Sequence, residues 1–216
     1  MKKYELTAEF IEKWGKKLFR IKALISFGSV EAGELGGYVE KEDNLAQTGN
    51  AWVSGDAEVS GNARVCGDAW VSGDARVYGD ARVYGNARVY GDAEVYGDAR
   101  VCGDAWVSGE ARVYGDAEVS GDARVCGDAW VSGNARVCGD AWVSGDADYL
   151  LIGRIGSRFS FTTFFKNKDK GITVSCGCFL GTIAEFRAKV TDTHGNNKHA
   201  KMYNLAADMA ELQILG

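Results

Sequence analysis

The chain has 216 residues and a net charge of −5, with 25 Lys and Arg against 30 Asp and Glu, so no general affinity for duplex nucleic acid is expected. There is no proline, no apolar run reaches the length of a membrane span, and the Met-Lys-Lys start lacks the apolar core of a secretion signal. A cytoplasmic protein without a membrane partner is the plain expectation.

Residues 1–48 read as an N-terminal β cap. Tyr4 to Trp14 mixes apolar and charged residues, Gly15 is placed to turn the chain, and Lys17 to Ile25 alternates as a strand does. Gly33 to Thr48 then drifts into the repeat that follows, with Leu45 where the repeat wants Ala and Gln47 where it wants Val.

From Gly49 to Ser144 the unit Gly-(Asp/Asn/Glu)-Ala-x-Val-z recurs sixteen times without insertion. Ala and Val sit two apart, so both face one side of an extended strand while x and z face the other. Gly-Asx supplies the corner, because glycine takes positive φ cheaply and Asx side chains bond nearby backbone. A six-residue period with strand alternation predicts a solenoid of three strands per turn, eighteen residues per coil. One coil buries only small side chains and is not expected to fold alone.

Sorted by eighteen, the outward x residues fall into three columns. The first holds Trp52, Trp70, Arg88, Trp106, Arg124 and Trp142; the second holds Glu58, Arg76, Glu94, Arg112 and Trp130; the third holds Arg64, Arg82, Arg100, Glu118 and Arg136. The second column alternates in charge, and its z positions add Tyr78, Tyr96 and Tyr114 as a stack. Trp52, Trp70, Trp106 and Trp142 make the first face the most hydrophobic, so a subunit interface is expected there. Cys66, Cys102 and Cys138 lie two coils apart on the third face; at about 4.8 Å per coil their Cα atoms are roughly 9–10 Å apart, beyond the ~7 Å reach of a disulfide.

The repeat breaks at Gly145 to Leu150, and residues 149–216 read as a small α+β domain. Strands are expected at Tyr149–Ile152, Phe159–Phe165 and Ile172–Cys176, with a turn at Asn167–Gly171. Thr182-Ile183-Ala184-Glu185 is a capping box, so a helix starts at Thr182 and ends at His194-Gly195. Asn196 or Asn197 caps a last helix to about Leu215.

Tail chemistry admits several readings. Cys176, Cys178, His194 and His199 offer zinc-ligand types, but a one-residue gap between the cysteines is not the usual knuckle spacing, and no metal is assigned. A Cys176 or Cys178 nucleophile with His194 as base lacks a third orienting group, and no catalytic residue or cofactor is assigned. Among the three site readings an anion site is the best supported: Arg154, Gly156, Ser157 and Arg158 offer guanidinium forks, backbone N–H groups and a hydroxyl. Thr182 marks a positive helix end, and His194 lies at the far end of that helix. Its rival has Arg154 and Arg158 pairing with solenoid acids at the junction.

The repeat resembles the left-handed parallel β-helix of the hexapeptide-repeat proteins, in which a branched apolar residue is followed four positions later by a small one, as Val53 is by Ala57. The expected fold is therefore mainly β, a left-handed β-helix over 49–148 between the cap and the tail. Known proteins of that type commonly form trimers, so the resemblance implies a homotrimer. Leu35-Gly36-Gly37-Tyr38 together with Ile155 to Arg158, Cys176 to Phe179 and Thr193 to Asn196 resembles uncharacterised phage and prophage hexapeptide-repeat proteins. That resemblance implies a phage-associated cytoplasmic protein; the function expected of it is non-enzymatic binding, with anti-defence sequestration of a nucleotide-derived host immune signal as the concrete form. An acyltransferase-like enzyme is an alternative, disfavoured because both histidines, His194 and His199, lie outside the coils. A purely structural assembly protein is the other; ice binding would need outward Thr arrays.

Overall fold

The computed structural model describes residues 2–216; Met1, the first residue of the expected cap, lies outside the described residues. Strand β1 (Tyr4–Lys13) turns at Trp14-Gly15 into antiparallel β2 (Lys16–Ala23), which pairs antiparallel with β3 (Leu35–Val39). A 3-10 turn (Glu42–Asn44) leads to sixteen two-residue strands, from β4 (Trp52–Val53) to β19 (Trp142–Val143), each the x-Val pair of one unit.

The strands form a parallel solenoid of about six turns. Every strand pairs with those eighteen residues away, as Trp52 with Trp70, Glu58 with Arg76 and Arg64 with Arg82. Three parallel sheets result, and the one carrying Glu58 continues through β3 into β2 and β1. Within each coil the amides of Asx, x and z donate to the next coil; Asp56, Glu58 and Ser60 reach the carbonyls of Gly73, Ala75 and Val77 at 2.9–3.0 Å. Only short side chains fit inside, and the Ala and Val of every unit are buried. Corner glycines stack directly on one another: Gly91 has φ 73°, and a Cβ there would lie 3.1 Å from the Gly109 nitrogen.

The first turn departs from the expected register. Val39 pairs with Val59 and Leu45 with Val65, each twenty residues away rather than eighteen. Leu45 thus fills a Val site, not an Ala site, because two extra residues follow it: Leu45 and Val53 are eight apart where their partners Val65 and Val71 are six apart. Buried Asn44 of the 3-10 turn substitutes for missing ladder groups, donating to the carbonyls of Gly61 and Ala63 at 3.1 and 2.9 Å. Gln47, freed from the core, accepts from the amide of Lys3 at 2.8 Å and so fastens the N-terminal strand. The Gly36-Gly37 pair lets β3 lie against the coil, since a Cβ on either would sit 2.5 Å from the carbonyl oxygen of Val53 or Ala57.

Trp52 is removed from the exposed Trp column: it is fully buried, edge-on to Tyr4 and Phe27 at 6.4 and 5.4 Å. The N-terminal strands cover that end of the core, so Trp52 cannot belong to an interface between copies. On the second face the ladder forms, with Glu94 3.3 Å from Arg76 and 3.9 Å from Arg112. Tyr78, Tyr96 and Tyr114 stack at 4.8 and 5.0 Å with nearly parallel rings. Buried Glu58, however, pairs with Lys13 of β1.

After a 3-10 turn (Asp146–Asp148), β20 (Tyr149–Ile155), β21 (Ser160–Lys166), β22 (Ile172–Cys176) and β23 (Phe179–Thr182) form an antiparallel sheet. The strand β23 is not evident in the sequence, being four residues long and running directly into a helix cap. Helices α1 (Ile183–His194) and α2 (Lys198–Leu215) follow, capped by Thr182 and Asn197. Successive side chains on a strand point to opposite faces. Accordingly Phe164 joins the helices in one core, while Phe165 enters the end of the solenoid core. The four-stranded sheet is thus packed on both sides. Asp148 pins the junction: Oδ1 accepts from Lys166 Nζ at 2.8 Å, and Oδ2 from the Ser144 amide and hydroxyl at 2.9 and 2.6 Å.

Candidate functional site

A cleft of about 210 Å³ opens in the tail between the β20–β21 turn, the β22–β23 hairpin and helices α1 and α2. Ser157 and Arg158 come from the first turn, Cys176 and Phe179 from the hairpin, and Tyr203 from α2. Helix α1 contributes Phe186, Lys189, Val190, Thr193 and His194, which recur three and four apart and so share one face.

Tyr203 organises the cleft. Its ring packs edge-on against Phe186 at 5.6 Å and lies 5.8 Å from His194 in a near-parallel stack. Gly156, with φ 72°, passes directly beneath it: a Cβ at this position would lie 1.9 Å from the Tyr203 hydroxyl oxygen. Gly156 is therefore a packing residue that lets the tyrosine reach the turn. Burial raises the Tyr203 phenol pKa, the neighbouring Cys176 thiol adds to the rise, and Arg158 opposes it. The phenol therefore stays protonated at neutral pH and can donate to a bound acceptor. The Cys176 thiol is itself engaged, accepting from the Thr162 hydroxyl at 3.2 Å.

Positive charge comes from Arg158 and Lys189, beside the His194 imidazole. Arg158 makes no ion pair among the described residues, whereas Lys189 lies 3.4 Å from Asp192. The cleft can thus hold a small anion: guanidinium and ammonium for charge, serine and tyrosine hydroxyls as donors, and the edges of Phe179 and Phe186 for an apolar part.

Of the residues singled out in the sequence, Ser157, Arg158 and His194 line this cleft and Gly156 underlies it. Arg154 and Thr182 do not line it. Arg154 is exposed in a bulged, positive-φ segment of β20. The N-terminus of α1 is already satisfied by its own carboxylate: Glu185 Oε2 accepts from the Thr182 amide at 2.8 Å and from its hydroxyl at 2.9 Å. That capping box turns Thr182 onto Glu185 rather than toward the cleft. Nor do Arg154 and Arg158 pair with solenoid acids among the described residues; Lys166 with Asp148 and Lys168 with Asp140 join the two parts instead. Lys189 and Tyr203 were not singled out. The helical spacing from Phe186 to His194 would have found Lys189, but nothing local marks Tyr203.

Cys178 is exposed, and His199 stands 5.8 Å from His194, ring to ring. No three His, Cys, Asp or Glu side chains converge as a metal site among the described residues. All six cysteines are free. On the first face, half-exposed Trp106 is sandwiched between Arg88 and Arg124 at 5.4 and 5.1 Å, and Trp142 is exposed. Trp70 is partly buried, its indole donating to Ser54 at 3.0 Å. No helix among the described residues is long and apolar enough to cross a membrane.

A search of the curated proteins found no match. The family described as the YdcK beta solenoid repeat matches residues 57–73, 75–91, 81–94, 93–109 and 129–145. All five matches fall inside the repeat, so the coils of this chain are similar to that repeat β-solenoid family, and the likeness stops short of the tail cleft.

Proposed function

We propose that this chain is a non-enzymatic binding protein in which a rigid β-solenoid carries a tail cleft for a small phosphorylated, nucleotide-like anion. The observation that carries the reading is the convergence of Arg158, Lys189, His194, Ser157 and the protonated Tyr203 hydroxyl on one small cleft beside Phe179 and Phe186. Arg158 would fork onto phosphate oxygens while an aromatic edge meets a base. Left-handed winding belongs to this reading and is supported by the resemblance to hexapeptide-repeat proteins. A homotrimer also belongs to it, assembled through the strip of Trp70, Trp106 and Trp142. The likeness of tail motifs to phage proteins extends it to a cytoplasmic, anti-defence role, sequestering a nucleotide-derived host immune signal.

The test is titration calorimetry and thermal melting with inorganic phosphate, mononucleotides and cyclic oligonucleotides, on the wild type, Arg158→Ala and Lys189→Ala. Binding should raise the wild-type melting temperature, the variants should weaken it by about tenfold or more each, and the ligand should be recovered intact on denaturation. No shift with any of these ligands, or an unchanged response in Arg158→Ala, would remove the cleft as the site. A chemically altered ligand would remove the non-enzymatic reading.

A further inference from the structure

Two columns on the solenoid have like charges stacked on successive rungs without an ion pair among the described residues, and they are opposite in sign. On the third face the rungs of Arg64, Arg82 and Arg100 are direct neighbours, and all three side chains are exposed. None makes an ion pair among the described residues; the first relief on that face is Glu118 with Arg136 at 3.5 Å. These arginines and Lys41 line a groove of about 410 Å³ whose other wall bears Asp43, Asp80 and Asp98. Asp80 is already engaged by the Asn62 amide at 3.2 Å.

The corners differ in the same way. Two of the three interleave Asn with Asp, so that an amide bridges the carboxylates: Asn50 to Asp68 at 2.7 Å, Asn86 to Asp104 at 2.9 Å, Asn134 to Asp116 at 3.5 Å. The remaining corner stacks Asp56, Asp74, Asp92, Glu110 and Asp128, all exposed, with no Asn among them. Their carboxylates make neither an ion pair nor a hydrogen bond among the described residues. Chain order places this ridge opposite the Arg face, because that face lies between the other two corners. Each acid stands in the same coil as an arginine: Asp56 precedes Arg64, Asp74 precedes Arg82, and Asp92 precedes Arg100, each by eight residues.

We infer that the Arg64–Arg82–Arg100 column is an interaction surface for the Asp56–Asp74–Asp92 ridge of a second copy of this chain. A solenoid offers charges at one fixed rung spacing, about 4.8 Å. Only a partner with the same spacing matches three guanidiniums at once, and another copy has it. Because the two columns occupy opposite sides and the same rungs, copies meet with axes parallel and without axial offset. The contact is head-to-tail and does not close on itself, so it produces lateral rows. The Arg column lies on a different face from the Trp strip. The contact is electrostatic, and therefore salt-sensitive.

Sedimentation velocity at about 20 mM and about 500 mM salt tests this. The wild type should form larger species at low salt that dissolve at high salt. The triple variants Arg64→Glu/Arg82→Glu/Arg100→Glu and Asp56→Lys/Asp74→Lys/Asp92→Lys should each keep the high-salt size at low salt. Mixing the two in equal amounts should restore the larger species, since each then presents what the other lacks, and this also shows that both are folded. A wild-type size independent of salt, a variant that still associates, or a mixture that stays small would each overturn the inference.

Discussion

Raising the pH from about 7 to 9.5 should stabilise this protein through Lys3, and Lys3→Met should abolish that gain. The Lys3 side chain is buried, its ammonium donating to the carbonyl of Ala51 at 2.8 Å and lying 4.8 Å from the Phe27 ring centre. Burial lowers its pKa from 10.5 to about 8, with Asp68 pulling the other way. Between these values the unfolded chain binds more protons than the folded one, so stability rises with pH across that window. Below it the ammonium is charged in both states and the desolvation cost stands in full, at most about 3 kcal/mol for the whole drop. From pH 7 to 9.5 the gain should reach about 2 kcal/mol, less if water reaches the ammonium. Tyr4 does not interfere, because burial and the nearby Glu42 and Asp43 raise its phenol pKa well above 10. The assay is urea unfolding of wild type and Lys3→Met at several pH values, comparing slopes so that any constant cost of losing the carbonyl partners cancels. Parallel curves for the two proteins would refute the argument.

Further substitutions test the packing. Trp52→Ala should cost about 3–5 kcal/mol, since it empties a fully buried site, while Trp142→Ala on the exposed strip should change monomer stability by less than about 1 kcal/mol; thermal melting of the two decides it. Gly91→Ala should lower stability by roughly 1–3 kcal/mol, because alanine must hold a φ of 73° with its Cβ against the next corner. A melting temperature equal to wild type would show that the stacked corners yield. Asp148→Asn should lower stability at neutral pH and flatten the acid limb of the stability curve. Lys166 and Ser144 hold the Asp148 pKa below its ordinary value despite burial, so its contribution is present above about pH 4 and fades as pH falls through the lowered pKa.

Ala and Val two apart, with Gly-Asx between, leave the chain one way to bury its apolar atoms, so three-strand coils, their eighteen-residue columns, the Tyr stack and the Glu–Arg ladder could be read from the sequence. Each follows from a local rule applied at every unit, which needs no knowledge of distant contacts. The capping box at Thr182 and the Asn197 cap were legible for the same reason. What the periodic rule does not reach was decided by tertiary structure. The N-terminal strands close over Trp52 and turn an outward position into a core one. Two extra residues between Leu45 and Val53 shift the first register and move Leu45 from an Ala site to a Val site. In the tail, Ser157, Arg158 and His194 share a cleft only because Gly156 admits Tyr203 from a helix nearly fifty residues away, whereas Arg154 and Thr182 point to other tasks. Repeating contacts are specified by neighbours in the chain; a cleft assembled from two turns and two helices exists only once the sheet has packed on both faces.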